Sequence, residues 1–123
     1  MKNDSNTNIS ELKELAKEFR DERDWGQFHN IKDLAIDISV EAGELLELFL
    51  WHKPEDFKKQ MEEDLEFKED VSDELADVVF GCLAFANVSG IDISTVYKNK
   101  IEKAKKKYPI EKAKGRAVKY TKL

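Results

Sequence analysis

Residues 36–50 read Ile36-Asp-Ile-Ser-Val-Glu-Ala-Gly-Glu-Leu-Leu-Glu-Leu-Phe-Leu50, and residues 73–80 read Asp73-Glu-Leu-Ala-Asp-Val-Val-Phe80. Each stretch carries two carboxylates three residues apart: Glu41 with Glu44, and Glu74 with Asp77. On an α-helix that spacing sets both acids on one face, about 60° apart around the axis. The apolar residues around the first pair, Ile31, Leu34, Ile38, Leu45, Leu48 and Phe49, recur at helical spacing. The chain has no Lys or Arg between Lys32 and Lys53, and none between Lys68 and Lys98. These acids therefore lack local counter-ions. Crowded carboxylates without partners raise one another's pKa unless a cation joins them.

Working outward, helices follow on both sides. Ser10 is the expected cap of a first helix from Glu11 to Arg23, with Leu12, Leu15, Ala16 and Phe19 on one stripe. Asp24–Asn30 breaks the periodicity, and Asn30 suits the N-cap of a helix running to Trp51. Pro54 opens a short helix through Met61 and Glu62. A long helix from Leu65 to Val88 ends at Gly90, placed as a left-handed cap. A last helix runs from about Asp92–Ser94 to Lys107, where Pro109 stops it, and the tail 110–123 reads as irregular. No strand pattern competes. The expectation is an all-α chain, a four-helix bundle forming one domain over 1–123, with 1–9 flexible and a basic tail at 110–123.

Composition narrows the function classes. The 123 residues hold 21 Lys+Arg against 26 Asp+Glu, a net charge of −5 that argues against general nucleic-acid binding. Charge is unevenly spread: residues 1–97 hold 10 basic and 24 acidic side chains, while 98–123 hold 11 basic and 2 acidic. A site that uses both signs, carboxylates for metal and Lys/Arg for phosphate, would need such a division. No apolar run reaches the roughly 18 residues of a membrane span, and the polar start gives no secretory signal. One cysteine, Cys82, excludes an internal disulfide and a multi-cysteine zinc site, so reducing cytosol is the expected compartment. Cys82 and Phe85 read as core.

Two facing carboxylate pairs suit a hard divalent cation such as Mg²⁺, which takes oxygen ligands and shares them with substrate phosphate. The windows Asp37–Glu44 and Asp70–Asp77 also match at three of eight positions, as two helices with paired roles would. Glu47, one turn beyond Glu44, is a further candidate ligand. A ferritin-like di-iron site needs a Glu three residues before a His. Gly26 and Phe49 stand at those positions before His29 and His52. A non-catalytic helical interaction protein remains the alternative, and the full set of four acids argues against it.

Several segments in order, Arg23-Asp-Trp-Gly-Gln-Phe-His29, Glu41–Trp51, Asp73–Val78, Gly90-Ile-Asp92, Lys100, Tyr108-Pro109 and Lys119-Tyr-Thr121, carry a resemblance. They resemble the MazG-like all-α nucleoside triphosphate pyrophosphohydrolases, most closely their dCTP pyrophosphatase branch. The resemblance implies cleavage between the α- and β-phosphates, with Mg²⁺ held by Glu41, Glu44, Glu74 and Asp77, and with Glu41 or Glu44 nearest the attacking water. It implies a base pocket of Trp25, Phe28, His29 and Trp51, since a flat base takes aromatic faces and a His can bond its edge. Lys100 matches the family's phosphate position, and Arg116, Lys119 and Tyr120 are candidates to close over the triphosphate. Ala104 stands where many relatives carry Asn, and Gly81 where dCTP-type relatives often carry an aromatic. The 29 residues between the acidic pairs are long for the family, an excess assigned to the Pro54–Asp64 insertion. Family members typically form dimers or dimers of dimers, so the resemblance implies that subunits share the base pocket. Four helices of this length also bury too little to shelter Leu46, Phe80 and Leu83, so a homodimer or homotetramer is expected.

Overall fold

The computed structural model describes residues 2–123, which are helical throughout with no strand among them. They form two compact units, the first ending at Gly90 and the second spanning Ile91–Leu123. No single helix among the described residues is long and apolar enough to cross a membrane.

In the first unit, α1 spans Ile9–Glu22, α2 Ile31–Glu47, α3 Phe57–Glu63 and α4 Leu65–Ser89. Three helices begin on an Asx cap. Asn8, Asn30 and Asp64 each accept the backbone N–H three residues on, satisfying donors that an uncapped helix leaves bare. The first cap is thus Asn8 rather than Ser10, because a side-chain oxygen at Asn8 reaches the Glu11 amide at 2.9 Å. Residues expected to be flexible carry a turn as well: Asn3 and Asn6 exchange hydrogen bonds, and Lys2 pairs with Glu11 at 2.9 Å. Gly90 closes α4 in the left-handed region at φ 72°, as its position predicts.

Helix α2 stops at Glu47, four residues short of the expected Trp51. Tighter i→i+3 bonds, Phe49 to Leu46 and His52 to Phe49, replace the α pattern there. The turn brings the Phe49 ring edge-on to Phe57 at 4.8 Å and to Phe67 at 5.8 Å, so aromatic packing outweighs helix propensity.

α4 is the axis of this unit. It packs against α1, α2 and α3 and supplies most of the buried residues: Phe67, Gly81, Leu83, Ala84 and Ala86. Phe19 of α1 meets Phe80 edge-on at 5.7 Å, and the Asn87 amide donates to the Lys13 carbonyl at 2.9 Å. α2 passes close at Gly81, where a Cβ would lie 2.9 Å from Ile38 Cγ1. Some expectations about burial change here. Leu83 is buried and Phe80 half-buried, while Cys82 is exposed and only Leu46 of the three remains bare. An apolar groove of about 760 Å³ stays open between α1 and α4, lined by Leu12, Leu15, Phe19, Leu75, Val79 and neighbours that include Asp77.

In the second unit, α5 spans Ile93–Lys107, capped by Asp92, and a one-turn α6 covers Ile110–Ala113. The tail is more ordered than its sequence suggests. A 3-10 turn at Tyr120–Lys122 rests against Tyr108, whose ring meets Tyr120 edge-on at 6.0 Å and whose hydroxyl accepts the Tyr120 N–H.

The two interior glycines of these helices should respond oppositely to alanine. Gly81→Ala forces a Cβ against Ile38 and should cost about 1–3 kcal/mol by overpacking. Gly43→Ala meets nothing within 4 Å and should gain about 1 kcal/mol of helix propensity. Thermal melts of both variants against the parent chain check the pair.

Candidate active site

The acids are brought together by the α2–α4 seam. One carboxylate oxygen from each of Glu41, Glu44 and Glu74 lies within 4.8 Å of the others. Glu44 is the exposed member and lies within hydrogen-bonding reach of both partners, which are half-buried. The inner Oε2 atoms of Glu41 and Glu74 are buried and find no hydrogen-bond partner among the described residues. Three converging carboxylates, two of which keep a buried oxygen without a partner, form an all-oxygen donor set that fits a hard cation.

Electrostatics follow from that crowding. Glu41 is pushed up to about 7, first by lost hydration and then by Glu44, Asp77 and Asp37. Glu74 is raised by the same causes, with Glu44, Asp77 and Asp73 as its neighbours. Asp77 is exposed and stands outside the close triplet, yet its charge bears on both raised acids. Glu47 is exposed at the last turn of α2 and is not part of the triplet. Asp37 is a further acid whose charge bears on Glu41 and which the paired i, i+3 spacing does not include. It lies one turn before Glu41, in the same base-free stretch, and the i, i+4 spacing could have drawn attention to it.

The aromatic residues do not converge within one chain. Trp25 and Phe28 sit on a 3-10 turn before α2, with His29 following it, and Trp51 lies beyond the far end. The 17 residues of α2 between them span about 25 Å. Trp25 packs edge-on against Phe19 at 5.5 Å. Phe28 is 63% exposed and Trp51 87% exposed, so neither is core. His29 is half-buried, and its Nδ1 has no hydrogen-bond partner among the described residues.

The phosphate candidates belong to the second unit. Lys100 is exposed on α5, and Lys119 is exposed ahead of the final turn. Arg116 donates to the Lys112 and Lys122 carbonyls at 3.5 Å, and Lys107 lies 4.8 Å over the Tyr120 ring. Arg116 and Tyr120 thus help to fold their own segment.

Comparison with known proteins decides the ancestry of this arrangement. Residues 36–123, which contain all four acids, match the MazG-like family. The chain belongs to the MazG-like family. Over 119 residues it is 32% identical to dCTP pyrophosphatase 1 of Bos taurus, covering 97% of this chain and 70% of that protein. It is 31% identical to dCTP pyrophosphatase 1 of Homo sapiens over 115 residues, covering 94% of this chain and 67% of that one. A crystal structure of a pyrophosphatase from Archaeoglobus fulgidus superposes with a TM-score of 0.74 at 37% identity, covering 82% of this chain and 92% of that chain.

The raised acids of this MazG-like chain fix a pH response in the metal-free state. Between the ordinary carboxylate value and about 7, folded Glu41 holds a proton that the unfolded chain has released. The folded state then binds more protons, so stability falls as pH rises through that window. The metal-free melting temperature should therefore drop between about pH 5 and pH 8, and Glu41→Gln should flatten the slope. Calorimetric melts in chelator across that range check the sign.

Proposed function

We propose that this nucleotide pyrophosphatase is Mg²⁺-dependent and cleaves dCTP or a 5-modified dCTP between its α- and β-phosphates, giving the monophosphate and pyrophosphate. The observation that carries the reading is the convergence of Glu41, Glu44 and Glu74, with two buried carboxylate oxygens left without partners. The cytidine preference is supported by the relatives named dCTP pyrophosphatase 1 and by the Arg23–His29 segment.

In this reading Glu41, Glu44 and Glu74 hold the ion, with Asp77 completing the set. Bound there, Mg²⁺ would neutralise charge on the phosphate chain and acidify water. The acids contribute position and proton affinity. Glu44 lies within reach of both neighbours and is open to solvent, so it can orient water at the exposed side of the cluster. Glu41 or Glu44 can accept the proton of that water through an oxygen the ion leaves free. Lys100, Arg116 and Lys119 are proposed to balance the charge of the triphosphate, and the Tyr120 hydroxyl to hydrogen-bond it.

A homodimer or homotetramer is part of the proposal. The two aromatic groups stand at opposite ends of α2, so a pocket combining Trp51 with Trp25 and His29 would draw them from different copies. The bare side chains of Leu15, Leu46, Leu50, Leu75 and Val79 offer an apolar surface for such contact.

The test is pyrophosphate release from a panel of canonical and base-modified triphosphates, with Glu44→Ala as the control. Wild type should act on deoxycytidine nucleotides first, and the variant should be inactive. A purine preference would end the dCTP assignment and leave the family assignment standing. Glu74→Gln should also melt higher than wild type without metal and gain less from Mg²⁺, because one repelling charge and one ligand are lost together. Trp51→Ala should weaken nucleotide affinity by about 1–3 kcal/mol, or about one to two orders of magnitude, while Mg²⁺ binding is retained. Light scattering should give a particle larger than one chain.

A further inference from the structure

The acid cluster does not end at Glu41. One turn towards the start of α2 is Asp37, and one turn past Asp77 on the antiparallel α4 is Gly81. The two meet across the seam: a Cβ on Gly81 would lie 3.4 Å from Asp37 Oδ2. The Ile38 side chain crowds position 81, since a Cβ there would already strike its Cγ1 at 2.9 Å. At this level Gly81 faces the Ile38 side chain and the Asp37 carboxylate, and Asp37 is the charged group of the two. It is half-buried, and no hydrogen bond or ion pair engages it among the described residues.

The direction of the displacement matters. From the cluster, Asp37 lies towards the α2 end that carries the 3-10 turn with Trp25 and Phe28, followed by His29. Phe80, adjacent to Gly81, touches Phe19, and Phe19 touches Trp25. A nucleotide whose phosphates sit at the acids and whose base lies at this aromatic end has its sugar at the level of Asp37. A carboxylate with both oxygens free is suited to a pair of vicinal hydroxyls, as the acidic residue of dinucleotide-binding folds is to ribose.

We propose that Asp37 is a sugar-reading residue, accepting hydrogen bonds from the 2′- and 3′-hydroxyls, so that the chain acts on ribonucleoside as well as deoxyribonucleoside triphosphates. The proposal rests on the acid cluster being the phosphate end of the nucleotide site. It adds the sugar as a point of selection within that site.

The experiment compares each ribonucleoside triphosphate with its deoxy counterpart, reading kcat/KM for wild type, Asp37→Ala and Asp37→Asn. Calorimetric Kd values for CMP and dCMP give a readout without turnover, and melting curves confirm folding. Wild type should hydrolyse both sugars. Asp37→Ala should lower the ribo-to-deoxy ratio about tenfold or more, in kcat/KM and in affinity alike. Asp37→Asn, which keeps one acceptor oxygen and the side-chain shape, should restore part of that ratio. Equal losses on both sugars, complete loss included, overturn the proposal and assign Asp37 to holding the acids. A wild type that releases pyrophosphate only from deoxynucleotides overturns it while leaving the active-site reading intact. A wild type inert towards every triphosphate removes that reading and the proposal together.

Discussion

Two helices approach this closely only where one of them gives up a side chain, and α4 does so at Gly81. The contact with Ile38 sets the depth at which α2 lies on α4. That depth brings acids from two helices within 4.8 Å, where like charges and lost hydration oppose them. Apolar packing along α4 holds the arrangement in place, with Leu83, Ala84 and Ala86 buried beneath it. The site is thus an electrostatic cost carried by packing. Its relief lies in protons or in a cation, and the unpartnered inner oxygens of Glu41 and Glu74 mark where that relief is missing.

Much of this was legible in the sequence because it rests on period. The i, i+3 acids, the absence of nearby bases and the apolar stripes fixed α2 and α4 and brought three of the four acids into contact. Gly90 announced its left-handed cap for the same local reason. Long-range packing was harder to read. Residues 48–51 carry good helix formers, yet the ring of Phe49 turns to Phe57 and Phe67, and the helix ends at Glu47. Cys82 sits in an apolar run that reads as core, but α4 presents it outward.

The aromatic residues illustrate a different limit. Residue type groups Trp25, Phe28, His29 and Trp51 as a base pocket shared between subunits, and within one copy helix length sets Trp51 at the opposite end of α2 from the other three. Sequence separation alone could have flagged this, since one helix fills most of the interval. Asp37 does not stand out in the sequence because Glu41 and Glu44 already account for the acidity of the stretch. Its meeting with Gly81 is tertiary and leaves no local signature.

The notch at Gly81 also constrains how this chain can drift. A first mutation that adds even a methyl group there meets Ile38 and is selected against before any new side chain can be tried. A change at Ile38 that opens space must come earlier, and by itself it loosens the seam that gathers the acids. The order of substitutions is therefore not free. Descendants of this sequence keep glycine at 81 unless they pass through an intermediate whose helices, and with them the carboxylates, are less firmly held.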